Sequence, residues 1–212
     1  FVMLPMDQEG VETRPIQLIS GSSPFCETFL NDARAAKTDL LGEMNDGWSV
    51  VKRLLQHERQ SQTQAGSSSS SSSKPSLLDI AKQYVGAEDD GTLADADLRV
   101  RLVNHLMDTQ AHGLTVKRIT AEARGKVEVS AAASILKNSA TRVGQTKAEL
   151  TLEIMGSQGV GWEGENYTSE EKDTVRDWLW GKAFSIYGGS YEVQNNIISK
   201  NILGLPETTQ KG

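Results

Sequence analysis

The spacing of apolar residues changes near Asp46, and this change constrains the fold more than any other feature of the sequence. After it, apolar residues recur every three to four positions, as on a helix face. Before it, glycine and proline separate short apolar stretches, which is typical of strands and turns. These stretches are Phe1 to Leu4, Ile16 to Ile19 and Phe25 to Leu30. The sequence therefore predicts a mainly α fold, in which a few β-strands precede an antiparallel helix bundle.

The helical part divides at glycine-rich and serine-rich positions. We predict a first helix from Asp46 to about Gln62 and a solvated serine-rich loop at 66–75. The later predicted helices follow in order: one around Leu77 to Tyr84, one starting near Asp95, one over Val129 to Met155, one opened by a capping box at Thr168 and Glu171 and ended by Gly188-Gly189, and a last one capped by Ser190.

Composition excludes several classes of protein. With 22 Lys and Arg against 28 Asp and Glu, the formal net charge is −6, which argues against a basic nucleic-acid platform. No run of about 18 apolar residues is present, so we expect no membrane-spanning helix and no membrane partner. The single cysteine, Cys26, cannot form an internal disulfide. That fits a reducing compartment, and we expect a cytoplasmic location. The first residues lack the pattern of a signal peptide.

Glu58 is the candidate for proton transfer. It follows Val51, Leu54 and Leu55 by seven, four and three residues, so a helix points its carboxylate along the same stripe, toward the core. Burial there would raise its pKa and suit it to act as a general base. The same spacing also fits a carboxylate at the rim of the bundle, paired with a lysine or arginine. Arg59 faces about 100° away and could bind an anionic ligand from the adjacent face.

Two glycine-rich segments are candidates for ligand binding. Gly156 to Gly161 could present bare N–H groups to a phosphate, or could be an ordinary turn after a helix. Gly188-Gly189-Ser190-Tyr191-Glu192 opens a predicted helix, where N–H groups attract acceptors but Glu192 favours sugar hydroxyls over phosphate. Ordinary capping by Ser190 is the alternative. The three histidines lack the spacing of metal ligands, so we expect no metal site.

Two parts of the sequence resemble the acyl-CoA dehydrogenase family. The C-terminal part is Ile186-Tyr187-Gly188-Gly189-Ser190-Tyr191-Glu192-Val193-Gln194-Asn195-Asn196-Ile197-Ile198, closed by Ile202-Leu203-Gly204-Leu205-Pro206. The N-terminal part is similar to the family's passage from its middle β domain into its C-terminal helical domain. It comprises Gly10 to Ile16, Phe25 to Arg34, Leu41 to Glu43 and Gly47-Trp48.

The resemblance implies a domain organisation. Residues 1–43 would be the end of an incomplete middle β domain, and residues 44–212 the C-terminal helical-bundle domain with its serine-rich loop at 66–75. The family's N-terminal helical domain and most of its β domain would then be missing from this chain. We expect the chain alone neither to retain FAD nor to turn over substrate.

The resemblance also implies an activity and its residues. Members are FAD-dependent enzymes in which a carboxylate removes the α proton of an acyl-CoA while the β hydrogen leaves as hydride to the flavin. The commonest base directly follows the tyrosine that Tyr187 matches, but Gly188 occupies that position here. A minority branch places its glutamate immediately before an arginine on the first C-terminal helix, and Glu58-Arg59 matches that pair. Glu58 would thus be the base, and Arg59 would contact the substrate.

Cofactor contacts follow from the same resemblance. Gly156, Ser157 and Gly159 match the turn that contacts the flavin pyrophosphate across a dimer interface, with Glu153 where a glutamine is usual. Gly189, Ser190 and Glu192 match the part that holds the adenosine end of FAD.

The implied partners are an acyl-CoA substrate, an acceptor similar to electron-transfer flavoprotein, and further copies of the chain in a homodimer or homotetramer. Two alternatives stay open. The first is a catalytically silent assembly subunit that completes a partner's FAD site, and the loss of a glutamate at Gly188 favours it. The second is an oxidase of the same superfamily.

Overall fold

The computed structural model describes residues 1–65, 75–124 and 132–206. The chain divides into two compact units, Phe1–Ser71 and Ser72–Gly212. The first unit groups the strands with the first helix, and the second contains the remaining helices. The predicted domain boundary at residue 43 stays a prediction. The predicted loop at 66–75 lies almost entirely outside the described residues.

The first unit contains a two-stranded antiparallel sheet and one long helix. Strand β1 is Val11–Ile16 and strand β2 is Phe25–Leu30, paired so that Val11 lies opposite Leu30 and Ile16 opposite Phe25. Helix α1 is Gly47–Ala65. The guanidinium of Arg14 lies 4.6 Å from the centre of the Phe29 ring and also binds Glu12.

Two of the three predicted strands differ from the structure. The stretch Phe1 to Leu4 forms only an isolated bridge between Val2 and Leu40. Ile16 ends β1, and the residues after it make a turn in which the Leu18 N–H donates to the Ser22 carbonyl at 2.8 Å. Apolar content favoured strands at both places, but a strand needs a neighbour along its length, and each stretch has one for only one or two residues.

The second unit is a helix bundle. Its helices are α2 Leu77–Tyr84, α3 Ala96–Arg124, α4 Ala132–Met155, α5 Ser169–Gly181 and α6 Tyr191–Asn201. Helix α4 packs against the other four. Three side-chain contacts link α3 to α4. They join Arg101 to Glu153, Asp108 to Arg142 and His112 to Ser139, so the residue numbers fall along α4 as they rise along α3. The two helices are therefore antiparallel. The mainly α fold predicted from the sequence is confirmed.

The main core lies between α2, α3 and α4. Its buried members are Leu77, Ala81, Leu93, Leu98, Leu102, Leu150 and Ile154. The buried stripe of α3 continues through His105, which is 6% exposed, and leaves Leu106 57% exposed. In the sequence, the spacing from Leu98 and Leu102 predicts Leu106 on the buried stripe, whereas in the structure His105 faces α4. Burial lowers the pKa of His105 and so keeps its imidazole neutral.

Helix α5 is shorter than predicted. It begins at the expected capping box, where the Thr168 hydroxyl accepts from the Glu171 N–H and the Glu171 carboxylate accepts from the Thr168 N–H. It ends at Gly181 and passes into a 3₁₀ segment at Lys182–Ser185. The predicted helix had continued to Gly188.

Polar side chains of α4 hold this 3₁₀ segment. The Gln145 amide donates to the Gly181 carbonyl at 3.0 Å, and the Thr141 hydroxyl donates to the Phe184 carbonyl at 3.1 Å. These positions are four residues apart and so lie on one face of α4. Carbonyls that a longer helix would have bonded internally are thus satisfied by a neighbouring helix.

Candidate functional site

Two consecutive glycines shape the turn before α6. Gly188 has φ +70° and Gly189 has φ +98°, values that side-chain-bearing residues rarely adopt. Ser190 follows as the predicted N-cap, and its hydroxyl accepts from the Val193 N–H. We call residues 188–190 the glycine turn. A glutamate in place of Gly188 would cost about 1–2 kcal/mol at this φ of +70°.

Gln194 holds the glycine turn from α6. Its side chain is buried, and its amide nitrogen donates to the Gly188 carbonyl at 2.6 Å. A Cβ on Gly189 would lie 2.5 Å from the same nitrogen. Sequence reasoning missed this residue. The signal was a glutamine one helical turn after the N-cap, a position where a polar side chain can reach back to the preceding backbone.

Glu192 lies in the first turn of α6 and is exposed. Hydrogen bonds from its own N–H and from the Ser190 hydroxyl lower the pKa of its carboxyl. Lys137 of α4 attracts it, and burial lowers the pKa of the Lys137 ammonium. The amide of Asn138 donates to the Asn195 side chain at 3.0 Å, which fixes the start of α6 beside the start of α4. Glu192 is therefore an ionised acceptor, suited to hydroxyl groups.

Glu153 lies near the other end of α4 and is bound by Arg101 of α3. The Arg101 Nη1 donates to one carboxylate oxygen at 2.7 Å, and Nη2 donates to the other. Hydrogen bonds from Arg101 lower the pKa of Glu153. Sequence reasoning missed Arg101, because nothing local in the sequence links residues 52 positions apart. The pair borders a polar groove of about 360 Å³ between α3 and α4.

The glycine-rich segment after α4 continues as a 3₁₀ helix over Gly156–Val160. Its N–H groups are therefore taken up largely within the helical backbone, and the expected row of bare N–H groups is not a feature of this conformation. Gly156 has φ +56° and open space where a Cβ would project. Gly159 is buried against the Leu152 backbone. Ser157 is exposed.

The two candidate cofactor segments lie at opposite ends of α4. Asn138 marks the end that holds α6, and Glu153 marks the end that leads to Gly156–Val160. At 1.5 Å per residue the two positions are about 23 Å apart. One chain thus presents two separate sets of predicted contacts.

Position 58 lies within α1, as predicted. The side chains of Glu58 and Arg59 lie outside those that the structure describes. On the same helix, Leu54 and Leu55 are 56% and 37% exposed, so the stripe expected to face a core is largely uncovered. The first unit consists of a small sheet and one helix and has few apolar side chains to bury it. The predicted roles of Glu58 and Arg59 stay predictions.

Within residues 1–65, 75–124 and 132–206, no group of three His, Cys, Asp or Glu side chains could hold a metal ion. None of the helices in those ranges is long and apolar enough to cross a membrane.

Comparison with known proteins decides the family. Residues 45–203 match the family profile described as "Acyl-CoA dehydrogenase, C-terminal domain". The chain belongs to the acyl-CoA dehydrogenase family. The acyl-CoA dehydrogenase IpdE1 of Mycolicibacterium smegmatis is 32% identical over 206 residues, which cover 97% of this chain and 49% of that protein. The acyl-CoA dehydrogenase FadE34 of Mycobacterium tuberculosis is 27% identical over 97% of this chain and 26% of its own length.

Solved acyl-CoA dehydrogenase structures share the fold. The steroid acyl-CoA dehydrogenase Tcur3481-Tcur3483 superposes with a TM-score of 0.78 at 22% identity, over 98% of this chain and 52% of that chain. The ChsE4-ChsE5 complex from Mycobacterium tuberculosis gives 0.74 at 21% identity, with the same coverage. The chain spans about half the length of IpdE1 and of these two structures.

Members of the acyl-CoA dehydrogenase family use FAD, and the two segments suit it unequally. Beside the glycine turn, the exposed Glu192 carboxylate suits ribose hydroxyls. At the other end of α4, Glu153 brings a negative charge that a pyrophosphate would repel, and Arg101 already occupies this carboxylate. The residues present therefore fit the predicted adenosine contact, whereas the fit at the predicted pyrophosphate contact depends on Arg101.

Proposed function

We propose that this chain is the C-terminal part of an FAD-dependent acyl-CoA dehydrogenase that uses Glu58 as its base. The family membership supports the class of reaction. The observation that carries the choice of base is the glycine turn. Gly188 stands where the commoner base would be, and its φ of +70° disfavours any side chain there. The glutamate before Arg59 is then the remaining match to a known position of the base.

In the proposed reaction, the Glu58 carboxylate takes the α proton of the acyl-CoA thioester. Arg59 contacts the substrate from the adjacent face of α1. Bound FAD supplies the acceptor for the β hydrogen and its two electrons. Glu192, Ser190 and Gly189 hold the adenosine end of the cofactor. An acceptor similar to electron-transfer flavoprotein would take up these electrons.

The separation of the two cofactor segments supports a shared site. The ribose and the pyrophosphate are neighbouring groups of FAD, whereas the α4 residues beside the two predicted segments, Asn138 and Glu153, are about 23 Å apart along the helix. This separation favours contacts of one chain with two different FAD molecules. We propose that each FAD is held by two chains, in a homodimer or homotetramer.

The decisive experiment uses the full-length protein with Glu58→Gln. This variant should keep bound FAD and lose the bleaching of flavin absorbance on addition of acyl-CoA. A matched control is Glu122→Gln, which removes an exposed carboxylate of α3 that pairs with Arg118. Bleaching that survives in Glu58→Gln contradicts the assigned base. Short, branched and steroid-ring acyl-CoA thioesters should be compared as substrates. Consumption of O₂ during turnover would indicate an oxidase.

A second candidate is a catalytically silent subunit that completes a partner's FAD site. The absence of a side chain at Gly188 and the engaged carboxylate of Glu153 favour it. The ChsE4-ChsE5 structure, which shares this fold, is a complex of two differently named chains. The flavin content of the purified full-length protein separates the two candidates. One FAD per chain in a homo-oligomer supports the dehydrogenase, whereas FAD only in a complex with a second, different chain supports the silent subunit.

A further inference from the structure

We infer that Gln194 is a positioning residue that aims the Gly189 N–H outward as a hydrogen-bond donor to FAD. The inference rests on the proposed function, because it assigns the glycine turn to the adenosine end of that cofactor. It adds a residue that neither the sequence motif nor the family comparison singled out. Gln194 acts through the backbone and does not itself reach the ligand.

The first step concerns the peptide between Gly188 and Gly189. Its carbonyl oxygen accepts from the Gln194 amide at 2.6 Å, and Gln194 is 8% exposed, so this oxygen points into the protein. No cis peptide bond occurs among the described residues. In a planar trans peptide the N–H points opposite to the C=O. The Gly189 N–H therefore points away from Gln194.

The second step concerns the partner of that N–H. In the described part of the chain, the Gly189 N–H makes no hydrogen bond. Gly189 is half-buried and its neighbour Gly188 is exposed, so this turn borders solvent. It is an oriented, unused donor next to Ser190 and Glu192. A ligand that offers an acceptor atom at this place would find its donor already fixed, without an entropic cost of ordering it.

The third step concerns the dependence of this arrangement on glycine. A Cβ on residue 189 would approach the Gln194 nitrogen to 2.5 Å, and φ is +98° at that position. The bond from Gln194 and the absence of a side chain at Gly189 thus require each other. Loss of the Gln194 bond, or a side chain at residue 189, would leave the peptide between Gly188 and Gly189 free to rotate, so that its N–H would point in another direction.

The test measures the equilibrium affinity of the full-length holoprotein for FAD after removal and re-addition of the cofactor. Gln194→Met keeps the volume and loses the donor, so the dissociation constant for FAD should rise about tenfold. Gln145→Met is the matched control. It removes the same kind of bond, from a glutamine amide to the Gly181 carbonyl at 3.0 Å, and leaves the bond to the Gly188 carbonyl in place. Its affinity for FAD should stay within twofold of the wild type.

A second variant separates positioning from packing. In Gln194→Glu the buried carboxyl group donates to the Gly188 carbonyl only when protonated. Its affinity for FAD should therefore recover toward the wild-type value as the pH falls from 8 to 5.5, while Gln194→Met stays weak at both pH values. Because the two pH values are compared within Gln194→Glu itself, the test remains valid even where Gln194→Met fails to fold.

The outcomes are distinct. Wild-type affinity in Gln194→Met, or no recovery of Gln194→Glu at low pH, overturns the role of Gln194 and leaves the proposed function standing. A wild-type protein that binds no FAD, alone or with a partner chain, overturns the proposed function and this inference together.

Discussion

Arg101 and Glu153 join α3 to α4 through a two-point ion pair, with the Arg101 Nη1 2.7 Å from a Glu153 oxygen. The pair stands at the position where the family resemblance implies a glutamine that contacts FAD. A neutral amide can donate to a phosphate, but a carboxylate cannot. In this chain, Glu153 instead makes a contact between two helices.

We expect Glu153→Gln to tighten FAD binding several-fold in the full-length protein. The substitution removes a repulsive charge and frees Arg101 to face the pyrophosphate. The cost in the free energy of unfolding should stay below about 1 kcal/mol, because both side chains are partly exposed. Titration with FAD and urea denaturation measure the two effects. Glu149→Gln is the control, since it removes a similar ion pair with Lys182 one turn earlier on α4. Equal effects of the two variants on FAD would exclude a special role for position 153.

Two glycines of the 3₁₀ helix that follows α4 should respond differently to alanine. Gly159→Ala places a methyl group against the Leu152 carbonyl, and backbone must move, so we expect a loss of about 2–3 kcal/mol in the free energy of unfolding. In Gly156→Ala the methyl group projects into open space, so only the positive φ lowers the free energy of unfolding, by about 1 kcal/mol. Urea denaturation of the two variants ranks them. A larger loss in Gly156→Ala would contradict the close packing of Gly159.

Acid should destabilise the bundle partly through Glu171. Hydrogen bonds from the Thr168 N–H and from the Tyr84 hydroxyl, the latter at 2.9 Å, lower the pKa of this carboxyl. The stabilisation is complete above the unfolded-state pKa of about 4.3 and is lost as the pH falls through the lower folded-state value.

Tyr84→Phe removes one of those bonds, so its free energy of unfolding should fall less steeply below pH 4.3 than that of the wild type. Thermal unfolding between pH 3 and 7 measures this slope. Tyr167→Phe serves as the control. An unchanged slope in Tyr84→Phe would show that the Tyr84 bond leaves the pKa of Glu171 unaltered.

Neighbouring positions on α3 should differ sharply in their tolerance of alanine. Leu102 is 5% exposed within the main core, and Leu102→Ala should cost about 2–5 kcal/mol. Val103 is 54% exposed, and Val103→Ala should change the free energy of unfolding by less than about 0.5 kcal/mol. Chemical denaturation of both variants checks the direction in which α3 faces. Similar losses at both positions would mean that another surface covers Val103.

Local signals in the sequence predicted most of the helices. The capping box at Thr168, the N-cap at Ser190 and the apolar spacing of α2 depend on residues within one or two turns of each other, and all three are confirmed. The choice between His105 and Leu106 on α3 was not predictable, because it depends on the direction from which α4 packs. Hydrophobicity alone favours the wrong one of the two.

The contacts that shape the candidate site were harder to predict from the sequence. Arg101 meets Glu153 only because α3 and α4 run antiparallel, which no local pattern encodes. Gln194 is near the glycine turn in sequence, but its role depends on the left-handed conformation of Gly188 and Gly189. Sequence reasoning identified the residues of the turn and missed the side chain that fixes it.

The bonds from α4 to the 3₁₀ segment at Lys182–Ser185 make the backbone path of that segment independent of its side chains. Gln145 and Thr141 bind main-chain carbonyls, which every amino acid possesses. Substitutions at the side chains of the segment leave these bonds available. Related proteins can therefore vary the surface chemistry just before the glycine turn while α4, a distant stretch of sequence, keeps the backbone path the same.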